Sequence, residues 1–295
     1  MVIGMHCPAF ALTIEADRQL NYAEMLFANQ QYLRAAEEYQ RFSFFFPDHP
    51  KKREAIFKSG ESFLLAGDPA KALAVFKDLS ASEPMDSLAA ESFFKMADAH
   101  LMMNAPTHAL VQLNNIITLS ADPKIKDRAY YRIAWIHIEL TDWDGAKTAF
   151  DRITPAGRSR YKLTGLDTAL GDAKSIGTKS PALAGTLSII PGGGQLYCHR
   201  YEDAFIALAV NVGLIWAACD AFDNDQYGLG GLISFVGIGF YAGNIYGAVN
   251  DAHKYNRMQK RQFIDQLKNN HQVSEAGPPR TTAGKALAFS LNIPF

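Results

Sequence analysis

The feature that most constrains the fold is a repeat with a period of 37 residues. An alanine marks each copy, at Ala35, Ala72, Ala109 and Ala146. A large apolar residue follows each alanine four positions later, at Tyr39, Phe76, Leu113 and Phe150. Two antiparallel helices need small residues where their backbones approach and a large side chain to fill the space beside them. The repeat therefore predicts four stacked helix pairs that form a solenoid.

The order of small residue, alanine, aromatic residue and proline resembles the tetratricopeptide repeat. The resemblance covers residues 12–155, and Pro47 and Pro84 close the first two copies. The tryptophan of the usual motif is replaced by Gln19, Ile56, Phe93 and Tyr130. The resemblance implies that the first helix of each pair lines a groove, which binds a peptide or a helix of a partner protein.

Three positions in each repeat are predicted to line this groove. The residues are Leu20, Glu24, Phe27, Phe57, Glu61, Leu64, Phe94, Asp98, Leu101, Tyr131, Trp135 and Ile138. Three of them are carboxylates in one row, so we expect an apolar partner segment that carries Lys or Arg. The alternative is that the aromatic residues pack between repeats and the carboxylates are a solvated face.

The second half of the chain contains three uncharged runs, at 180–198, 204–219 and 226–250. A helix needs about 20 apolar residues to cross a bilayer. The third run is long enough, the second needs interfacial residues to extend it, and a proline with three glycines breaks the first. We interpret 180–250 as a membrane domain of two or three spans; buried helices of a soluble protein are the alternative. The predicted fold class is all-α, a solenoid followed by a small bundle of transmembrane helices.

The glycine-rich turn at 191–194 lacks the lysine that a phosphate-binding loop requires. With its surroundings, over about 181–222, it resembles the small two-helix transmembrane hairpin domain. The matching residues are Pro191, Gly192, Gly194, Gln195, Tyr197, Trp216 and Asp220. The resemblance implies membrane embedding and close packing. Gln195, Tyr197 and Asn244 form a predicted polar cluster, which is either a small-molecule or lipid site or a structural group of hydrogen bonds.

The side of the membrane on which the repeats lie depends on the number of crossings. We favour three, which place the repeats in the periplasm and the basic residues after 250 in the cytoplasm. Residues 1–11 end in Ala9-Phe10-Ala11, which fits the remnant of a signal peptide. With two crossings, the repeats and the basic residues share the cytoplasmic side.

Three further segments are predicted to connect or flank the two domains. Residues 156–179 read as a connecting helix and linker, and 251–270 as a basic amphipathic helix, either on an anionic leaflet or in water. Residues 271–295 read as a flexible tail. Its end alternates strictly from Leu287 to Phe295, the period of a strand that either docks on a partner sheet or is disordered.

Composition and motifs point away from catalysis. The net charge is −1, so no basic excess indicates nucleic acid. The three cysteines and eight histidines have no metal or disulfide spacing. We expect a protein that is not an enzyme, with no cofactor, no metal and no catalytic residues. The predicted function is a membrane-anchored scaffold of the bacterial inner membrane that binds a protein partner and contacts membrane lipid, in envelope assembly or secretion. The alternative is a lipid- or small-molecule-handling membrane protein with an accessory repeat domain.

Overall fold

The computed structural model describes residues 15–81 and 85–271. Over these residues the protein is all-α, with fourteen α-helices and no strand. The predicted fold class is confirmed. The described residues form two compact units, which divide after Leu163. The predicted signal remnant at 1–11 and the alternating segment from Leu287 lie outside the described residues.

The first unit begins with four helix pairs. Each helix packs against the next one along the chain, as in a solenoid. The pairs are α1 (Ala16–Ala28) with α2 (Tyr32–Phe45), α3 (Lys52–Leu65) with α4 (Pro69–Ser80), α5 (Ser87–Met102) with α6 (Pro106–Leu119), and α7 (Pro123–Glu139) with α8 (Trp143–Asp151).

The repeated residues form the core between these helices. The four alanines that mark the repeat are fully buried, as are the large residues four positions later. Gly60 of α3 shows why the small positions are small, since a Cβ atom there would lie 2.6 Å from Cζ of Phe76. A core of this kind is sensitive to truncation, because replacing a buried Phe by Ala costs about 3–5 kcal/mol.

Short polar side chains and prolines fix where the helices begin. Asp68, Asp86, Asp122 and Asp142 each accept a hydrogen bond from a backbone N–H of the following helix. Such caps satisfy N–H groups that have no partner within the helix. Pro69, Pro106 and Pro123 stand in the first turn of their helices, where no N–H is needed.

A further short helix, α9 (Pro155–Arg160), covers the last pair. The buried carboxylate of Asp127 accepts hydrogen bonds from the Thr154 backbone N–H at 2.9 Å and from its hydroxyl at 2.6 Å. Tyr161 then stacks on Tyr131, with ring centroids 4.2 Å apart. Residues 156–163 therefore belong to the repeat unit rather than to the predicted connecting segment.

The second unit contains five helices. They are α10 (Thr164–Asp172), α11 (Pro181–Leu187), α12 (Gly193–Tyr197), α13 (Tyr201–Asp223) and α14 (Tyr227–Asn270). The helices α11, α12 and α13 all pack against α14. Helix α14 joins the third uncharged run and the predicted basic helix into one element of 44 residues.

The first uncharged run does not form a spanning helix. Helices α11 and α12 have 7 and 5 residues, and seven residues of helix extend only about 10 Å. Among the described residues, α13 and α14 are the two helices long and apolar enough to cross a membrane. The structure thus has two candidate spans where the sequence analysis favoured three. We call α11, α12 and the turn between them the broken segment.

The predicted amphipathic helix at 251–270 also differs from one lying on a leaflet. Its apolar residues Ile264 and Leu267 are buried within the protein. A helix on a membrane surface needs its apolar face free to enter the lipid. The water-exposed alternative for this segment therefore fits the structure better.

Candidate partner groove and membrane hairpin

A cavity of about 200 Å³ lies between α1, α2 and α3. It is lined by Leu20, Glu24, Phe27, Tyr39, Lys51, Glu54, Ala55 and Lys58. Three of the predicted groove residues, Leu20, Glu24 and Phe27, are among them. The cavity therefore lies at the predicted groove of the first two repeats, with an apolar floor and both signs of charge around it.

Tyr39 contributes a polar group to this cavity. Burial, followed by the carboxylates of Glu24, Glu61 and Glu54, raises the pKa of Tyr39 to about 12. The hydroxyl is therefore protonated at neutral pH and can donate a hydrogen bond. On the other side of the cavity, the ammonium of Lys58 lies 5.4 Å from the centre of the Phe27 ring.

The row of carboxylates is paired with a row of basic residues. Glu61 lies 2.8 Å from the ammonium of Lys58 and 2.8 Å from that of Lys95. Asp98 forms an ion pair with Arg132. We call these five residues the charge ladder. It corrects the expectation of an acidic rail in the second and third repeats, because the carboxylates are already neutralised within the protein.

Sequence reasoning missed the basic half of the charge ladder although a signal was present. Lys58, Lys95 and Arg132 recur with the same period of 37 as the carboxylates. In a solenoid, residues with the same phase stack from one repeat to the next. Burial raises the pKa of Glu61, but the neighbouring Lys95 and Lys58 outweigh burial and lower it overall.

Most of the other predicted groove residues belong to the core. Leu64, Phe94, Tyr131 and Ile138 are buried, so their side chains stabilise the repeats and are not available to a partner. Two half-buried aromatic residues also contact neighbours within the unit. The ring centroids of Phe57 and Phe76 are 5.4 Å apart, and those of Trp135 and Tyr131 are 6.3 Å apart. Leu101 is half-buried. For most of the predicted groove residues, the structure therefore fits the alternative interpretation, in which they pack between repeats.

In the second unit, two glycines of the hairpin motif sit where a side chain would not fit. Gly192 has a φ of +86°, and a Cβ atom on it would collide with the carbonyl oxygen of Ala204. A Cβ atom on Gly194 would lie 2.5 Å from Cβ of Ala248 in α14 and would also collide with Ala184. These glycines allow the turn after Pro191 to pack closely on α13 and α14.

Two of the three predicted polar residues meet in the structure. The Gln195 side-chain amide donates to the carbonyl of Asn244 at 3.0 Å, and the Asn244 amide donates to the carbonyl of Ser188 at 3.2 Å. Tyr241, which sequence reasoning missed, donates to the carbonyl of Ile189 at 2.9 Å. The Asn244 and Tyr241 donors reach carbonyls at the break between α11 and α12, and Gln195 reaches a carbonyl of α14. These hydrogen bonds fit the structural interpretation of the cluster, whereas the buried side-chain oxygens of Gln195 and Asn244 have no hydrogen-bond partner among the described residues.

The other motif residues lie apart from this cluster. Tyr197 accepts a hydrogen bond from the backbone N–H of Ser180 at 3.1 Å. Trp216 and Asp220 are exposed on α13. The motif therefore has two groups of residues: some pack the broken segment against its neighbours, and others lie on the outer surface of the unit.

Polar contacts tie one end of the apolar segments together. Asn256 of α14 accepts a hydrogen bond from the backbone N–H of Lys179 at 2.7 Å and donates to its carbonyl at 2.8 Å. Arg200, before α13, donates to the buried carboxylate of Asp251 in α14 at 2.8 Å. Lys179 directly precedes the first uncharged run and Arg200 follows it, so both ends of this run are attached to α14.

Comparison with known proteins bears on the first unit. A family model described as the tetratricopeptide repeat matches residues 54–84 and 128–154. These matches support a tetratricopeptide-repeat protein. They fall on the second and fourth helix pairs, and the helices between them continue the same period. The search of curated proteins and the search of solved structures found no match.

Tetratricopeptide repeats indicate a scaffold for protein–protein interaction. The resemblance to the membrane hairpin domain stays an interpretation, since the family comparison does not confirm it. Among the described residues, no group of three or more His, Cys, Asp or Glu side chains is placed to hold a metal ion.

Proposed function

We propose that this tetratricopeptide-repeat protein is a membrane-anchored scaffold whose first two repeats bind a protein partner. The observation that carries the proposal is the cavity between α1, α2 and α3. It combines the apolar side chains of Leu20 and Phe27 with the exposed carboxylates of Glu24 and Glu54 at its edge. This chemistry suits an apolar residue next to a Lys or Arg in the partner segment.

Membrane anchoring is supported by the surfaces of α13 and α14. In the most apolar window of each helix, 17% and 11% of the residues are buried, whereas a core helix of a soluble protein is mostly buried. Large apolar side chains point outward from both helices: Phe205, Ile206, Ile215, Trp216, Phe235 and Ile238 are each more than half exposed. Exposed apolar surface of this extent is typical of lipid contact.

Two crossings place the repeats and the end of α14 on the same side of the membrane. Five basic residues follow the apolar part of α14: Lys254, Arg257, Lys260, Arg261 and Lys268. The positive-inside rule places such a segment in the cytoplasm. We therefore propose cytoplasmic repeats at a bacterial inner membrane, instead of the periplasmic repeats expected from three crossings. A role in envelope assembly or secretion rests on analogy with other membrane-anchored repeat scaffolds.

Partner binding is tested by charge reversal at the cavity. Proteins that co-purify with the full chain in detergent would be compared between the wild type, Glu24→Lys and the control Asp78→Lys, an exposed residue of α4. A partner that binds at the cavity is lost with Glu24→Lys and retained with Asp78→Lys, because a basic partner residue would then meet a like charge. Retention of every co-purifying protein by both variants would contradict this site.

The orientation is tested by protease treatment of intact spheroplasts, with an antibody against residues 15–81. Cytoplasmic repeats stay intact until the membrane is broken. Digestion from outside would instead restore the periplasmic orientation and require a further crossing. An alkaline wash of the membranes tests anchoring itself, since a spanning protein stays in the pellet.

A further inference from the structure

Lys179 is held in a defined place just before the broken segment. Both hydrogen bonds of Asn256 go to its backbone. Its ammonium lies 4.6 Å from the centre of the Tyr197 ring and 5.6 Å from that of Tyr255. The backbone is thus fixed to α14, and the side chain lies between two aromatic rings.

This ammonium has no acidic partner among the described residues. The neighbouring Arg200 differs, because it forms ion pairs with both Asp203 and Asp251. Aromatic rings attract a cation by their π faces but accept no full hydrogen bond from it. The ammonium has three N–H donors, so Lys179 keeps donors for an acceptor from outside the protein.

The position of Lys179 in the chain indicates what that acceptor is. Lys179 directly precedes the first uncharged run, Tyr197 lies at its end, and Tyr255 follows the apolar part of α14. Tyrosines and basic residues at the ends of membrane segments lie at the level of the lipid headgroups. The anion present throughout that layer is the lipid phosphate.

A further cation favours a lipid with net negative charge. Arg257 lies two positions after Tyr255 in α14 and is exposed, whereas the ammonium of Lys254 lies 3.8 Å from the carboxylate of Asp251. A headgroup with its own ammonium or choline would bring a positive charge towards Arg257, whereas an anionic headgroup would not.

We propose that Lys179, between Tyr197 and Tyr255, binds the phosphate of an anionic phospholipid. The inference rests on the membrane placement proposed above. It adds a specific lipid site to that placement and is independent of the partner cavity in the repeats.

The test is native mass spectrometry of the full chain in detergent, titrated with phosphatidylglycerol or phosphatidylcholine. Lys179→Gln removes the proposed contact. Arg261→Gln removes the same charge from an exposed position further along α14 and serves as the control. We expect phosphatidylglycerol to bind the wild type and Arg261→Gln more tightly than phosphatidylcholine, and Lys179→Gln to lose about tenfold in affinity for it, as for a hydrogen bond to a charged group.

Each other outcome overturns part or all of the inference. Equal losses in the two variants would indicate general surface charge, and no loss in Lys179→Gln would remove the site. If millimolar inorganic phosphate displaces the lipid, the ligand of this site is free phosphate and the lipid proposal is wrong.

If Lys179→Gln fails to fold, Tyr255→Leu provides the test, and unchanged affinity in that variant overturns the proposal. A wild-type chain that an alkaline wash removes from membranes contradicts the membrane placement itself, whereas a membrane-bound chain with no lipid preference contradicts only this site.

Discussion

At the scale of single residues, the clearest determinants are positions where one atom more would not fit. Gly194 of α12 faces Ala184 of α11 and Ala248 of α14. Close contact of small residues is a main source of association between helices in lipid, the surroundings proposed for this unit. The glycine therefore decides whether the broken segment can pack against α14.

Gly194→Ala is expected to destabilise the second unit by about 1–3 kcal/mol, the usual cost of overpacking. The added methyl group would meet backbone and Cβ atoms that have no freedom to move aside. Thermal unfolding of the full chain in detergent measures the effect. Gly243→Ala on α14 is the control, since a Cβ atom there meets nothing within 4 Å. Equal unfolding temperatures for the two variants would contradict the packing described for Gly194.

At the scale of elements, the charge ladder links helices α3, α5 and α7. The side chains of Glu61 and Lys95 are mostly buried, at 12% and 17% exposed, so solvent screens this pair less than a surface pair. The pairs join successive repeats where a solenoid has only nearest-neighbour contacts. Loss of one of these ion pairs therefore weakens one interface between repeats.

The ladder predicts a specific dependence of stability on pH. The folded-state pKa of Glu61 is lowered from its usual value of 4.5. The ionised carboxylate therefore stabilises the folded state at a pH above this usual value, and the stabilisation is lost as the pH falls through the folded-state pKa. The wild-type unfolding temperature should fall more steeply than that of Glu61→Gln between about pH 5 and pH 3. Glu37→Gln, in an exposed residue of α2, should follow the wild type. Parallel curves for the wild type and Glu61→Gln would show that this carboxylate does not contribute.

At the scale of the whole molecule, the described residues divide into two compact units with different surfaces. The first unit buries its large residues between helices, whereas the second exposes them on α13 and α14. Each unit has its own core, and the first unit leaves fewer large apolar residues exposed than the second. This division predicts that the repeat unit folds alone in water.

A fragment of residues 15–163 should therefore be soluble and unfold cooperatively, as followed by circular dichroism. A shorter fragment ending at 154 lacks α9 and Tyr161, which stacks on Tyr131. Its unfolding temperature should be several degrees lower, since a loss of about 1 kcal/mol shifts the midpoint of a domain of this size by about 2–4 °C. Identical midpoints would show that α9 does not stabilise the last repeat, and an insoluble longer fragment would contradict the independence of the unit.

The helix pairs could be predicted from the sequence, because Ala35 and its three equivalents mark positions where only a small residue lets two helices approach. The sequence also located the apolar runs and the break at Pro191, since both depend on local composition and backbone freedom. That Phe94, Tyr131 and Ile138 are core residues became clear from the folded structure, because the phase of a helix does not show which of its faces a neighbouring helix covers. The same holds for the pairing of Glu61 with Lys95 and for the packing of the broken segment before Tyr197. Each depends on which groups meet across distant segments, and sequence spacing alone does not specify that.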